Sequence, residues 1–259
     1  MAFQIKVTLR GINPPIWRRL RVPGIITFEQ LHRVIQASFG WLNYHLYQFE
    51  VGSTVFAERD LDCTDEDLLG AGKERLDPGA HLIRAFLSEG DKFAYRYDFG
   101  DGWNHDIVVE KQLKEFKKYQ TPICLGGARH RPEDVGGVGG YANFLKIIRD
   151  PENPEREDTL RWARKDTGGR LFDPEYFYVD EVNSRLEHVL TDTPEFARAL
   201  LTGAQDLTGM LETGWSGPSV RVGDQVFDSD RLGRLVSMLD DEEPMTIRVA
   251  APPRRRGRN

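Results

Sequence analysis

Apolar and polar residues alternate along 3–9: Phe3, Ile5, Val7 and Leu9 fall on one side, Gln4, Lys6 and Thr8 on the other. That period of two predicts a half-buried strand. Gly11 to Pro15 interrupts it, because Pro14-Pro15 cannot donate to a ladder. Residues 16–22 predict a second strand, with Ile16, Leu20 and Val22 on one side and Trp17, Arg19 and Arg21 on the other. The period then lengthens. Thr27-Phe28-Glu29-Gln30 reads as a capping box, Phe28, Leu31, Ile35 and Phe39 share one helix face, and Gly40 closes the helix. Strand character returns at 45–51 and 54–57, around Gly52-Ser53, and the acidic stretch 58–67 reads as a solvated loop. Residues 92–98 and 104–111 predict two more strands around Phe99-Gly100-Asp101-Gly102-Trp103, where glycine relieves positive φ.

The glycine-rich stretch 122–140 predicts a long loop rather than a regular element. Helical spacing follows at Tyr141, Phe144, Leu145 and Ile148. Asn153-Pro154 supplies an N-cap and a first-turn proline for a helix to about Lys165. Asp180 opens another, striped by Val182, Leu186, Val189 and Leu190. After a break at 191–194 the pattern restarts: a helix over 195–212, a hairpin over 218–227 about Gly223-Asp224, a helix face at Leu232, Leu235, Val236 and Leu239, and a strand at Met245, Ile247 and Val249. The predicted organisation is a domain over 1–190, a small helix-hairpin-helix-strand unit over 191–251, and a disordered basic tail over 252–259. Strands early and helices late predict an α+β fold, an antiparallel sheet with helices packed on it, plus a small C-terminal α/β unit.

Composition narrows the class. The chain has 259 residues, 39% hydrophobic and 29% charged, as expected of a soluble protein. Its apolar runs fall short of the roughly 20 residues that cross a bilayer, and the alternating N-terminus does not read as a secretory signal. Two widely separated cysteines, Cys63 and Cys124, point to a reducing cytoplasm. The net charge of −6 argues against a protein that coats nucleic acid.

The densest polar group is Asp98, Asp101 and His105, with His45, Cys124, Glu133 and Asp134 as companions. Carboxylates, imidazoles and thiolates ligate divalent metals, so His45, Asp98, Asp101, His105 and Cys124 are candidate metal ligands. Asp98, Asp101, His105, Glu133 and Asp134 are candidate acids, bases or ligands of a metal-dependent hydrolase. In the structural alternative, Asp98 and Asp101 accept turn N–H groups, and His105, which shares the phase of Ile107 and Val109, sits in the core. Trp17, Arg18, Arg19 and Arg21 form a basic-aromatic strand; Arg254, Arg255, Arg256 and Arg258 offer nonspecific phosphate contacts. Neither a phosphate-binding glycine motif nor a paired-cysteine zinc motif is present.

P-P-I-W-R-R at 14–19, V-P at 22–23, T-F-E-Q-L-H at 27–32, F-G-W at 39–41 and H-L-Y at 45–47 open a longer set of motifs. Y-R-Y-D-F-G-D-G-W-N-H at 95–105, P-E-D-V-G-G at 132–137, G-Y at 140–141 and F-D-P-E at 172–175 continue it. Over roughly 3–190 this set resembles the plasmid pRiA4b ORF-3-like family. The resemblance implies an α+β fold and a plasmid or mobile-element setting, and no particular activity. Some members carry the label TnpR, or resolvase. Recombinase chemistry is not carried over, because the N-terminal strand has no serine and the first is Ser38, late in the amphipathic helix.

The expectation is therefore a cytoplasmic, non-catalytic binding or accessory module, working through a surface around Trp17, Arg19, His45, Trp103 and the 122–140 loop. Its partner would be a protein or a small molecule. The alternatives are the metal-dependent hydrolase, with a divalent metal as cofactor, and a weak nucleic-acid binder. No membrane partner is expected.

Overall fold

In the computed structural model, residues 1–58, 73–114, 120–167 and 170–192 are described, then 210–214, 217–222, 225–228, 231–232 and 235. The chain forms two compact units, Met1–Glu187 and His188–Asn259. In the first, strands β1 (Ala2–Leu9), β2 (Trp17–Pro23), β3 (Tyr47–Val51), β4 (Thr54–Ala57), β5 (Glu74–Leu76), β6 (Lys92–Tyr97), β7 (Trp103–Leu113) and β8 (Ile123–Ala128) form one sheet. Its order is β5-β4-β3-β6-β7-β1-β2-β8. Neighbours run antiparallel except β4 and β5, which are parallel. Among the described residues the unit also holds four α-helices: α1 (Phe28–Phe39), α2 (Gly137–Arg149), α3 (Arg156–Trp162) and α4 (Val179–Leu186). The fold is α+β, as the order of elements implied.

The sheet separates its two faces by strict alternation. Phe3, Ile5, Val7 and Leu9 of β1 are buried, as are Leu20 and Val22 of β2 and Ile107 and Val109 of β7. α1 packs on β2 and α4, and α4 on β8, so the helices cover this face. The other face is polar: Gln4 and Arg19 both donate to the Glu110 carboxylate, and Arg10 pairs with Asp106. One covered face and one solvated face is the usual state of an antiparallel sheet.

α1 forms where its capping chemistry says it should. Thr27 Oγ1 accepts from Gln30 N, Gln30 Oε1 accepts from Thr27 N, and Gly40 ends the helix in the left-handed region (φ 73°). Its inner face meets an aromatic layer set by strand register. Tyr47 opposes Tyr97, Tyr97 opposes Trp103, and Tyr95 lies between Phe49 and His105.

Four expectations change. Residues 122–140 are not one loop, because β8 adds to the sheet edge beside β2 and α2 begins at Gly137. The helix expected from Pro154 starts at Arg156, since Asn153 Oδ1 accepts from Glu155 N in a turn first. Asp98 is not part of the strand that precedes it: β6 ends at Tyr97 and Asp98 takes φ +54°. Where the expected helix would reach 212, Met210–Gly214 is instead strand β9. β9 pairs with β10 (Gly217–Val222), which pairs with β11 (Gln225–Asp228), and this pairing overrides the helical spacing of Leu211. In the same unit Arg231 binds the Asp192 carboxylate through Nε and Nη2. Residues 59–67, Cys63, 195–209, the strand at 245–249 and the tail arginines lie outside the described residues. Among the described residues, no helix is long and apolar enough to cross a membrane.

Two core histidines generate a pH prediction. Tyr95 O–H donates to His32 Nδ1 (2.8 Å), and His32 Nε2–H donates to Asn43 Oδ1 (2.5 Å). His105 donates from Nδ1 to the Tyr95 carbonyl (3.3 Å) inside a cage of Phe39, Trp41 and Tyr95. Burial pulls both imidazoles down to about 3 from the ordinary 6.5. Between those values the unfolded chain binds protons that the folded chain does not, so stability falls as pH drops from 6.5 toward 3. The slope is up to about 1.4 kcal/mol per pH unit for each histidine. The urea midpoint should be lower at about pH 5 than at about pH 7, and His105→Phe should flatten the difference. Equal midpoints for the unmodified chain would refute neutral burial.

Candidate functional site

The β6–β7 turn, the segment 41–46 and the segment 131–137 meet at one corner of the first unit. At its base lies Glu133, 1% exposed. Tyr97 O–H donates to Glu133 Oε1 (2.7 Å), and Leu42 N–H donates to Oε2 (2.6 Å). Tyr97 Oη also accepts from Tyr44 N–H (3.1 Å), and Asn43 is held by His32. Three successive residues of the 42–44 segment are therefore anchored from the core. Burial, then the Glu133 charge, pushes the Tyr97 phenol far above its usual range, so it stays a donor. Beside them the Arg131 guanidinium, 1% exposed, lies over the Trp41 ring.

The turn is built on Asp98. Its Oδ1 accepts from Gly100 N (2.9 Å) and Asp101 N (3.1 Å), and its carbonyl accepts from Gly102 N (2.7 Å). Asp98 N donates to Leu46 O (3.0 Å), tying the turn to the anchored segment. Asp101 reaches the other way: its Oδ2 accepts from Gly136 N (3.0 Å). Gly137 is required at that contact, since it has φ +66° and a Cβ would lie 2.3 Å from the Asp101 carbonyl oxygen.

Above this framework, His45, Asp98 and Asp134 converge. His45 Nε2 lies 3.1 Å from Asp134 Oδ1 and 3.7 Å from Asp98 Oδ2. The three groups offer ligand atoms within 4.8 Å of one another. One nitrogen and two carboxylate oxygens at that spacing can surround one divalent cation such as Zn²⁺ or Mn²⁺.

The other candidates do not join them. Among the described residues the convergent group excludes Asp101, His105, Cys124 and Glu133. His105 is fully buried because its strand phase points it into the aromatic core. Cys124 is 2% exposed, donates from Sγ to Gly126 O (3.4 Å), and burial pushes its thiol up; it lies apart from the His45 group. Trp103, expected on a surface, is 0% exposed in the core face, whereas Trp17 and Arg19 lie on the opposite, solvated face. Trp17, Arg19, His45 and Trp103 therefore do not line one groove.

The sequence did not mark Tyr97 or Leu42 as site residues, and it marked Arg18 only as part of a basic-aromatic strand. Tyr97 and Leu42 leave no composition signal, because their role is to satisfy a carboxylate far away in the chain. Arg18 does leave one: it shares the phase of Ile16, Leu20 and Val22, a charge where the pattern requires an apolar residue.

The family described as plasmid pRiA4b ORF-3-like protein matches residues 1–181. Among curated relatives, the uncharacterized protein y4hQ of Sinorhizobium fredii (strain NBRC 101917 / NGR234) is 37% identical over 162 residues, 62% of this chain and 79% of that protein. Ribonuclease P protein component 3 of Methanococcus maripaludis (strain C5 / ATCC BAA-1333) is 28% identical over 111 residues, 39% of this chain and 48% of its own length. The chain thus spans about half of that relative. Among solved structures, a protein of unknown function from Methanosarcina mazei Go1, MM3350, superposes with a TM-score of 0.59 at 33% identity, covering 70% of this chain and 96% of that one.

The turn gives a prediction. Asp98→Ala should cost about 2 kcal/mol, since two N–H groups lose their acceptor and alanine disfavours φ +54°. Asp98→Asn keeps an acceptor oxygen and tolerates the left-handed region, and should cost less than half as much. Chemical denaturation measures both. Equal losses would mean that the charge of Asp98, not its acceptor geometry, holds the turn.

Proposed function

The chain belongs to the plasmid pRiA4b ORF-3-like family, and for it we propose a cytoplasmic, non-catalytic binding or accessory module of a plasmid- or mobile-element-associated family. The observation that carries this reading is at the anchored corner. Leu42, Tyr44 and Leu46 are 37%, 63% and 48% exposed, yet the backbone between them is held from beneath by Glu133, Tyr97 and His32. Apolar side chains displayed on a rigid segment favour a contact surface, because little ordering entropy remains to be lost on docking. His45 and Asp134 sit within that surface and supply polar contacts. The carboxylates proposed for acid–base work instead accept backbone or phenol hydrogens: Asp101 from Gly136, Glu133 from Tyr97 and Leu42. That use argues for architecture over turnover.

A second reading has its own observation. The His45–Asp98–Asp134 spacing suits a divalent cation, which would either brace the corner or activate water for hydrolysis. The likeness to a ribonuclease P protein component adds RNA as a ligand to be tried. The solvated face gives it little support, because Arg19 and Arg10 are paired with Glu110 and Asp106.

The test places a photo-crosslinking residue at position 44 and, as a control, at position 84. A discrete adduct from position 44 alone, lost in Leu46→Asp, is the expected result. No adduct specific to 44 would remove the docking surface. Elemental analysis and calorimetry with Zn²⁺ and Mn²⁺ address the cation. Stoichiometric binding abolished by Asp134→Asn, together with metal-dependent cleavage of an ester or phosphodiester, would replace the module by the hydrolase. For nucleic acid, binding to a long duplex or a single-stranded RNA should be weak, with a salt slope no steeper than about −4, and should fall when 252–259 are deleted.

A further inference from the structure

Asp98 is a nearly buried carboxylate, 7% exposed, whose two oxygens are used unequally. Oδ1 accepts from Gly100 N and Asp101 N, so the group cannot rotate away without opening the turn. Oδ2 accepts no hydrogen bond from the described residues. It faces His45 Nε2 across 3.7 Å, beyond hydrogen-bond reach. An anionic oxygen held out of water with no donor is costly, and a positive charge beside it offsets that cost.

The other two groups reach the same point through separate anchors. His45 belongs to the held segment, and its ring stands edge-on to Tyr97 with centroids 5.7 Å apart. Asp134 lies between Glu133, held by Tyr97 and Leu42, and Gly136, held by Asp101. Its Oδ1 is 3.1 Å from His45 Nε2. These spacings bracket the roughly 3.3 Å between ligands of a tetrahedral ion with bonds of about 2.0–2.1 Å. Carboxylates within 4.8 Å of one another repel unless a positive charge lies between them. Neutral His45 with two carboxylates carries a charge that one divalent cation cancels. Asp98 lies behind, whereas the His45 and Asp134 side chains are 34% and 45% exposed. The remaining coordination position of such an ion therefore faces outward, beside Tyr44 and Leu46, the chain neighbours of His45. With the charge already balanced, a neutral nitrogen donor suits that position better than a third carboxylate.

We propose that His45, Asp98 and Asp134 hold a divalent cation and that this cation is the recognition point of the docking surface, a role that rests on the contact-surface and cation readings above. Its open position takes the neutral imidazole of a partner's histidine, and apolar neighbours of that histidine pack on Leu42, Tyr44 and Leu46. The competing arrangement needs no metal: a protonated His45 pairs with both carboxylates.

Calorimetry of the full chain with Zn²⁺ alone should show one ion per chain, weakened about tenfold or more by Asp98→Asn and by Asp134→Asn. Asparagine tolerates the left-handed backbone at both positions and keeps the oxygen that holds the turn, and urea midpoints verify that each variant folds. Co²⁺ in place of Zn²⁺ then reports the open position through its visible absorption. Imidazole should shift that absorption saturably, one per metal and about tenfold more tightly than acetate. A capped leucine-histidine-leucine peptide should bind severalfold more tightly than imidazole, and Tyr44→Ala should remove the gain while sparing the metal. Absence of stoichiometric Zn²⁺ binding would overturn the proposal together with the cation reading, leaving His45 as an ion-pair partner and the contact surface standing. Metal binding without an imidazole response, acetate binding as tight as imidazole, or a peptide gain unchanged in Tyr44→Ala would overturn the recognition role alone and leave the cation in place. Metal-dependent cleavage of an ester or phosphodiester would overturn it in favour of the hydrolase.

Discussion

A single buried carboxylate holds the first unit's working corner together. Glu133 is removed from water, and burying a carboxylate is unfavourable unless its oxygens are met by donors. Tyr97 meets one and the Leu42 backbone the other. The donors come from strand β6 and from the segment after α1, so satisfying one charge fixes the relation of three chain segments. The Asp98 turn is attached to the same frame through Leu46, and the 132–137 segment through Asp101 and Gly136. Exposed groups at the corner owe their positions to this concealed one.

The aromatic layer under that corner has a related logic. Register places Tyr47, Tyr97 and Trp103 in one row and Phe49, Tyr95 and His105 in the next. Phenol and imidazole then need partners inside the core, and they supply one another. Gln36 donates to Tyr95 Oη, Tyr95 donates to His32, and His32 donates to Asn43. A chain of neutral groups ends on the residue that shapes the exposed segment, so core chemistry and surface geometry are continuous.

Much of the frame was legible from period and caps. β1, β2 and α1 follow from alternation and from the Thr27–Gln30 box because those signals are local. The 122–140 stretch was not legible, because its glycines serve contacts rather than turns alone. At Gly127, inside β8, a Cβ would lie 2.6 Å from the Phe177 ring and 2.7 Å from the Trp17 carbonyl. Sequence shows the glycine but not the distant atoms that exclude a side chain. Of the candidate site, His45, Asp98 and Asp134 could be named as residues of the right chemistry. Their convergence could not, since it depends on left-handed backbone at Asp98 and Asp134 that breaks the parity of a strand.

The motifs that mark the family resemblance turn out to touch. Y-D-F-G-D-G-W supplies Tyr97, Asp98 and Asp101, P-E-D-V-G-G supplies Glu133, Gly136 and Gly137, and the bonds between them are the corner itself. Dense polar motifs are often taken as a reacting centre, yet here most of their hydrogen-bonding capacity closes on backbone and on one another. Residues that lock a fold must meet stringent geometry whether or not they meet a substrate. Function is then to be sought where the lock leaves groups facing outward, on the Leu42–Leu46 segment it presents.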